Sequence, residues 1–465
     1  MFSGLHFHQK GEKEVRIITH SSLEEVAFLL VFVCRRWSAN FIFLLAMSAP
    51  AQEALQNMQA GDTAAAARSR QMQPQASPVQ DYTFKEGDFR LMVTPSMGLE
   101  WNDNVNLAQT NVMDDYIVTP AVGITASYPF SKANLLYIDF TAGYAWYLKH
   151  PKFSSFQLNS SSGTGLSFDI AIKDFTINLH DWINYTQGSS QIGPGSLNNT
   201  ASATIANTAT FGTFQNTIGL SGSWDLNQVT LSLGYDHQNI LATSGQFDQV
   251  NHSSEMLFAR AYFQVHPQVT VGLESTAAFT AYEQNTLNDN SAYTVGPYVE
   301  FQPGKVLTLT ARAGYSIEEF QNTSTNIQTS SQNSWYASLT LTHQPTKSIS
   351  YSLAVGREVQ LGIVSDLIED WYVRPNITLK IIKGLDISTF FSYEHANQGV
   401  GSTGSLPGNP NGTFDLYNAG LSLQHALTSR LDLALNYQIA LRSSSTPDNG
   451  YTQDLVMLQL TYHPK

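Results

Sequence analysis

The residues that could do chemistry are thinly spread. His180, His237, His252, His266, His343, His395, His425 and His463 fall about one to a strand or turn, with no HxxxH or HExxH spacing. A zinc site needs ligands that sit close together or converge, and this scatter offers neither. Two neighbour pairs, Asp236-His237 and His252-Ser253, have the residue types of hydrolytic groups. Adjacent residues on a strand point to opposite faces, so neither pair can cooperate. The single cysteine, Cys34, lies in a segment expected to be removed, which leaves the mature chain without a thiol, a disulfide or a cysteine metal site. The expectation is no enzyme, no cofactor and no metal.

Charged and aromatic residues at alternate positions are more informative. By parity, Arg90, Glu100, Asp139, Asp236, Arg260, Glu274, Glu300, Arg312, Arg374, Lys380, Asp386, Glu394 and Asp432 share one face with Tyr262, Tyr298, Tyr336 and Tyr372. Mixed charge along a wall sets a transverse field and binds polar solutes, and tyrosine faces stack on sugar rings. The plainer alternative is that these groups bond to each other and to water and stiffen the wall. The candidate lumen-facing set is Arg90, Glu100, Arg260, Tyr262, Tyr298, Glu300, Arg312, Tyr336, Tyr372, Arg374 and Glu394.

The elements that must position them are strands. From Ser334 to Val355, Trp335, Ala337, Leu339 and Leu341 alternate with Tyr336, Ser338, Thr340 and Thr342. After the turn at Gln344-Pro345-Thr346-Lys347 the period resumes with Ile349, Tyr351, Leu353 and Val355, which reads as an antiparallel hairpin. The same unit recurs around short turns at 131–134, 172–174, 225–228, 266–268, 302–305, 383–384 and 428–430, and longer Gly, Ser, Asn and Thr-rich segments separate the hairpins. Eight tight turns with a leading and a closing strand predict an all-β, antiparallel up-and-down transmembrane barrel of about 18 strands, or 16 if a weak stretch such as Phe156–Phe168 is misread.

Composition agrees. Only 13% of the 465 residues are charged, where a soluble chain has about a quarter. Uncharged polar residues take up the difference, as a wall with water inside and lipid outside requires. A net charge of −13 excludes nucleic acid as a partner, since phosphate binding needs a basic footprint. Aromatic residues near strand ends, among them Tyr128, Phe130, Tyr144, Trp146, Tyr147, Trp335, Trp371, Tyr393 and Tyr437, suggest two interfacial girdles.

At the front, Arg35-Arg36, the apolar run Phe41–Ala46 and Ala49-Pro50-Ala51 follow the order of a secretory signal, with cleavage expected after Ala51. Residues 1–51 are therefore the export segment, 52–85 a flexible periplasmic lead-in rich in Ala and Gln, and 86–465 the barrel. Both ends are expected in the periplasm. The last strand, with Val456, Leu458, Leu460 and Tyr462 on one side, resembles the signal read by barrel-assembly machinery, although His463-Pro464-Lys465 follow it.

The run DFRLMVTPSMGLEWNDNVNL, Asp88 to Leu107, with its cluster Trp101, Asn102, Asp103, Asn104 and Val105, resembles the opening of a family of β-barrel porins of Gram-negative outer membranes. DYIVTPAVGITASYP, Asp115 to Pro129, fits the next strand of that family. The resemblance implies outer-membrane lipid as the surrounding medium and a channel for small polar solutes or, since some members are associated with exopolysaccharide export, for an exported glycan. A structural or surface-interaction barrel with an occluded lumen is the rival expectation, and a hydrolase mounted on the wall a remote one.

Overall fold

In the computed structural model, residues 79, 81–131, 133–160, 165–186, 212–243, 245–362, 365–382, 384–403, 412–446 and 449–464 are described. The expected export segment, the lead-in up to 78 and the long polar segment 187–209 lie outside them.

Strict alternation along most of the chain produces one antiparallel sheet that closes on itself. Its strands are β1 (Phe89–Asn102), β2 (Asp115–Pro129), β3 (Leu135–Tyr147), β4 in two described pieces (Ser155–Ser160 and Leu166–Ile172), β5 (Phe175–Thr186) and β6 (Thr213–Asp225). Next come β7 (Val229–Ala242), β8 (His252–His266), β9 (Val269–Tyr282), β10 (Asn290–Phe301), β11 (Leu307–Phe320) and β12 (Gln332–Thr346). The last six are β13 (Ile349–Leu361), β14 (Leu367–Ile382), β15 (Leu385–Gln398), β16 (Gly412–Thr428), β17 (Leu431–Ser444) and β18 (Tyr451–Tyr462). Each pairs with its sequence neighbours, and β1 pairs with β18 from Ser96↔Thr461 to Asn102↔Leu455, which completes an 18-stranded cylinder.

Closure pairs the first strand with the last, the condition for a β-structure to stand in lipid. Apart from β4 the strands have 12 to 17 residues, enough to cross a hydrocarbon layer with the usual barrel tilt. Short turns connect the strands at one rim and longer loops at the other. The weak stretch Phe156–Phe168 forms the interrupted β4, so the larger strand number holds.

Burial is inverted relative to a water-soluble sandwich. On β1, Leu99 is 48% exposed and its neighbour Glu100 only 3%. The same contrast separates Leu257 from Arg260, Leu273 from Glu274 and Phe391 from Glu394, so apolar side chains cover the outside and polar ones the inside. The exposed aromatics gather toward the rims. Tyr128 and Phe130 meet edge to face at 4.6 Å and Phe175 stacks on Trp224 at 5.0 Å on the turn side, while Tyr144 and Trp146 pair on the loop side. Tyr147 does not belong to this girdle. It is buried on the inner face against Phe153 and shares an apolar cluster with Val105, Ile117 and Ala145.

The family-like cluster after β1 acts as a clasp. Asn104 donates to the carbonyls of Ala108 and Thr452, and its own side-chain oxygen accepts from the Ala108 N–H. Across the closure the Asp103 N–H donates to the Asp454 carbonyl and the Asp454 N–H to the Asp103 carboxylate, and Gln453 donates to the Asn102 side chain and the Asn104 carbonyl. These bonds join the first strand to the last. Burial, together with the nearby Asp454 carboxylate, raises the pKa of the Asp103 side chain, although an N–H bond from Asp454 opposes this. On the turn side, the short strand Phe84–Glu86 pairs with Leu91–Phe89, and Val79 bonds to Ser127 and Arg90. The end of the lead-in is thereby packed at that rim.

Candidate functional site

Two groups of charged side chains stand on the inner face. The first is built on β8 to β11. Antiparallel register sets Arg260 opposite Glu274, and Tyr298 opposite Arg312. Glu274 lies 3.3 Å from both guanidinium groups, so one carboxylate bridges two cations that would otherwise repel. Each arginine also lies over a tyrosine, Arg260 over Tyr262 at 4.9 Å and Arg312 over Tyr298 at 4.8 Å, and the two rings meet at 5.0 Å. Tyr298 donates to Glu300, which also accepts from Gln302.

The second group lies nearer the loops, on β14 and β15. Arg374 donates to Glu394 through two nitrogens, at 3.0 and 2.8 Å, and comes within 3.8 Å of Asp370. Its guanidinium covers Tyr372 at 4.1 Å. Two buried carboxyl groups share one arginine here.

Glycines let the large rings lie flat. A Cβ on Gly296 would strike the Ala313 carbonyl and the Tyr336 hydroxyl, one on Gly314 the Tyr336 ring, and one on Gly356 the Tyr372 ring. Each tyrosine therefore crosses a neighbouring strand at a residue with no side chain, and wall width is kept for the lumen. Of the remaining candidates, Glu100 accepts from Asn102 on the inner face near the clasp, and Arg90 bonds to Val79 at the turn-side rim. The arrangement joins Arg260, Tyr262, Tyr298, Glu300 and Arg312 into one group with Tyr336 next to it, places Tyr372, Arg374 and Glu394 in a second, and leaves Arg90 and Glu100 apart from both.

The two considered hydrolytic pairs are divided between faces. Asp236 is buried against His180 at 3.0 Å, whereas His237 faces outward and bonds to Glu255 at 2.8 Å. His252 is buried against the Val250 carbonyl, and Ser254, rather than Ser253, is the buried serine beside it. Among the described residues there is no cluster of ligands that could hold a metal ion.

Sequence reasoning missed two features. Arg442, buried on the inner face, lies over Phe414 at 4.1 Å. Arg357, which parity assigns to the apolar outer face, bonds to Glu369 at 2.6 Å and to Ser334 at 3.0 Å, and lies over the Trp335 and Trp371 rings at 4.5 and 5.9 Å. A charge in the series Leu353, Val355, Arg357, Val359 and Leu361 was the available signal.

The loop rim is drawn together. Leu107, from the segment after β1, packs on the inner side of the wall against Ile368, Ala396, Phe414, Leu416, Ala440 and Tyr451. Gln328–Thr329 pairs with Ser402–Thr403, which links two loops across the mouth. Asp366, between β13 and β14, accepts from the Asn288 N–H at 3.0 Å, from its side-chain amide at 2.6 Å and from the Thr329 hydroxyl. Burial raises the pKa of Asp366, against these hydrogen bonds.

A closed, apolar-sided cylinder with a charged interior defines an outer-membrane β-barrel of the porin class. The chain belongs to the family described as "Putative beta-barrel porin 2", which matches residues 78–463, and it is not an enzyme. No curated protein matches it in sequence. Solved structures that resemble it include Pseudomonas aeruginosa OccK2 (OpdF) in complex with glucuronate, at 10% identity and a TM-score of 0.44, covering 83% of this chain and 100% of that one. A BenF-like porin from Pseudomonas fluorescens Pf-5 resembles it at 9% identity and a TM-score of 0.46, covering 81% and 99%. P. aeruginosa OccK5 (OpdH) gives 10% and 0.44, covering 83% and 99%.

Proposed function

We propose that this porin-class barrel is a passive channel for small polar solutes and favours cationic or neutral solutes over anions. The observation that carries this reading is the charge balance of the inner face. Arg260 and Arg312 are engaged by Glu274 and Arg374 by Glu394, and against the other inner-face arginines, Arg90 and Arg442, stand Glu100, Asp139, Asp169, Asp236 and Glu318. A wall with surplus carboxylate concentrates cations and repels anions. In this reading the turn side and both chain ends face the periplasm, and the tyrosines beside the arginines supply the faces on which a sugar ring would stack. The test is the reversal potential of single channels in a potassium chloride gradient. Potassium preference supports the reading, and chloride preference contradicts it.

The tied loop rim favours a second reading, a barrel whose mouth is occluded at rest. Swelling of liposomes loaded with the protein in neutral sugars separates the two. Swelling with monosaccharides supports an open path, and none with any sugar supports occlusion. An exported glycan as cargo would be indicated if deletion of the gene trapped polysaccharide in the periplasm.

A further inference from the structure

The wall has a seam. β12 and β13 share register from Thr346↔Ile349 up to Ala337↔Arg357 and then part. Above that point β12 keeps its pairing with β11 as far as Gln332, and β13 keeps its pairing with β14 as far as Leu361. Other hairpins joined by tight turns keep their ladders to the loop rim, β10–β11 to Asn290↔Phe320 and β16–β17 to Phe414↔Ser444.

The side chains report where the parted hairpin goes. Parity puts Leu353, Val359 and Leu361 together on the lipid face, yet Leu353 is 36% exposed and Leu361 only 2%. Val359, Leu361 and Leu367 pack against Phe320, which follows the inner-face series Ser316 and Glu318. The described residues of the β13–β14 tip, 359–361 and 365–367, have therefore turned in across the mouth. Arg357 occupies the parting, held by Glu369 and by the Trp335 carbonyl, and Trp335 meets Trp371 over it at 5.4 Å. At the far end Asp366 fastens the tip to Asn288 and Thr329, which belong to two other loops.

We propose that this tip is the gate of the channel and that it has two seats. One is the inward seat, latched through Asp366. The other lies in the wall, where β13 continues its ladder with β12 in the register it already uses. That register sets Trp335 opposite Val359, Ser334 opposite Gln360 and Asn333 opposite Leu361. In the wall seat Val359 and Leu361 regain the lipid face that their parity assigns, so each seat buries or solvates the tip consistently and the hairpin is bistable. Moving between seats costs the Asp366 bonds and the apolar contacts with Phe320, and gains ladder bonds and lipid contact. The gate rests on the channel reading above and adds a means of regulating it.

Two disulfides test the proposal in the full chain, with Cys34 replaced by serine. Asn288→Cys with Asp366→Cys would lock the inward seat, and Ser334→Cys with Gln360→Cys the wall seat. Folded protein, verified by its heat-modifiable gel mobility, is oxidised mildly and its single-channel currents are recorded before and after reduction. Both cross-links are expected to form. The inward lock should abolish the larger conductance level, the wall lock should hold the channel in it, and reductant should restore switching. Asp366→Ala, which needs no cross-link, should lengthen the time spent at the larger level. Failure of the 334–360 disulfide to form in folded barrel, equal currents from the two locked forms, or an Asp366→Ala channel that switches like its parent would each overturn the gate while leaving the channel standing. Silence from parent and variants alike would overturn the channel reading, and the gate with it.

Discussion

Two stretches of the same wall, β8 to β11 and β12 to β14, are built from similar alternating strands and behave differently. In the first, ladders run from rim to rim and the inner side chains lock across them, Arg260 to Glu274 to Arg312. In the second, the ladder stops at Ala337↔Arg357 and the strands above it bend away. The difference lies in where the charge sits. A charge on the inner face is satisfied by a cross-strand partner at mid-wall and reinforces the sheet. Arg357 sits on the outer face, where burial against lipid without a partner is expensive, so it finds Glu369 and the Trp335 carbonyl at a break in the sheet. Substitutions in the first stretch should therefore affect stability, and substitutions in the second should affect current.

The largest expected effect is from Glu274→Ala. It leaves two buried guanidinium groups facing each other without their shared counter-ion, and removing one partner of a buried pair costs about 3–5 kcal/mol. The midpoint of heat-induced loss of the folded gel band should fall sharply, and an unchanged midpoint would mean that the cluster is solvated. Gly296→Ala comes next, because its methyl would meet the Ala313 carbonyl and the Tyr336 hydroxyl, an overpacking that costs about 1–3 kcal/mol. It should lower the same midpoint by less. Asn104→Ala strips the clasp of bonds to Ala108 and Thr452 and should cost about 1–3 kcal/mol, visible as slower appearance of the folded band on refolding into detergent. Arg357→Ala removes a cation–π contact and leaves the half-buried Glu369 without its partner, so it is expected to cost about 1–3 kcal/mol, less than Glu274→Ala, while altering the rate of switching between conductance levels. A large stability loss with normal switching would erase the distinction between the two stretches.

The smallest effect is a dependence on pH. Asp366 has a raised pKa where it is buried in the inward seat and would have an ordinary one in water. The inward seat thus holds a proton that the wall seat releases, so acidification through that interval favours the inward seat and alkalinisation favours release. The ionisable groups on the segments around it include Glu283, Asp289 and Glu369, all acids, of which Glu369 is paired with Arg357. Open probability should fall as the pH drops below neutrality toward the carboxylate range, and the Asp366→Asn channel should lose that dependence. A slope of opposite sign would remove Asp366 from the latch.

Much of the fold was legible in the sequence because one face of every strand must meet lipid. Period-two alternation then fixes facing, and the turn residues fix the hairpins, as at Gln344–Lys347 and Lys383-Gly384. The family-like run at Asp88 to Leu107 was legible as a motif, but not as a clasp, since its partners Thr452 and Gln453 lie at the other end of the chain. Candidate side chains could be assigned a face by parity, but their grouping depends on register between strands, which a single sequence does not state. Position near a strand end misleads at Tyr147, which parity puts on the inner face with Asp139, and parity itself misleads at Val359 and Leu361, where the strand leaves the wall. In both places a loop or hairpin folds into the mouth and gives an apolar side chain a dry neighbour other than lipid.

A passive channel requires a water-filled path through the polar interior of this cylinder. Planar-bilayer recording of the purified full chain tests it most directly. Stepwise currents that favour potassium over chloride and move between a smaller and a larger level are the predicted result. Electrical silence from protein that migrates as a folded barrel, at every voltage and pH tried, would contradict it.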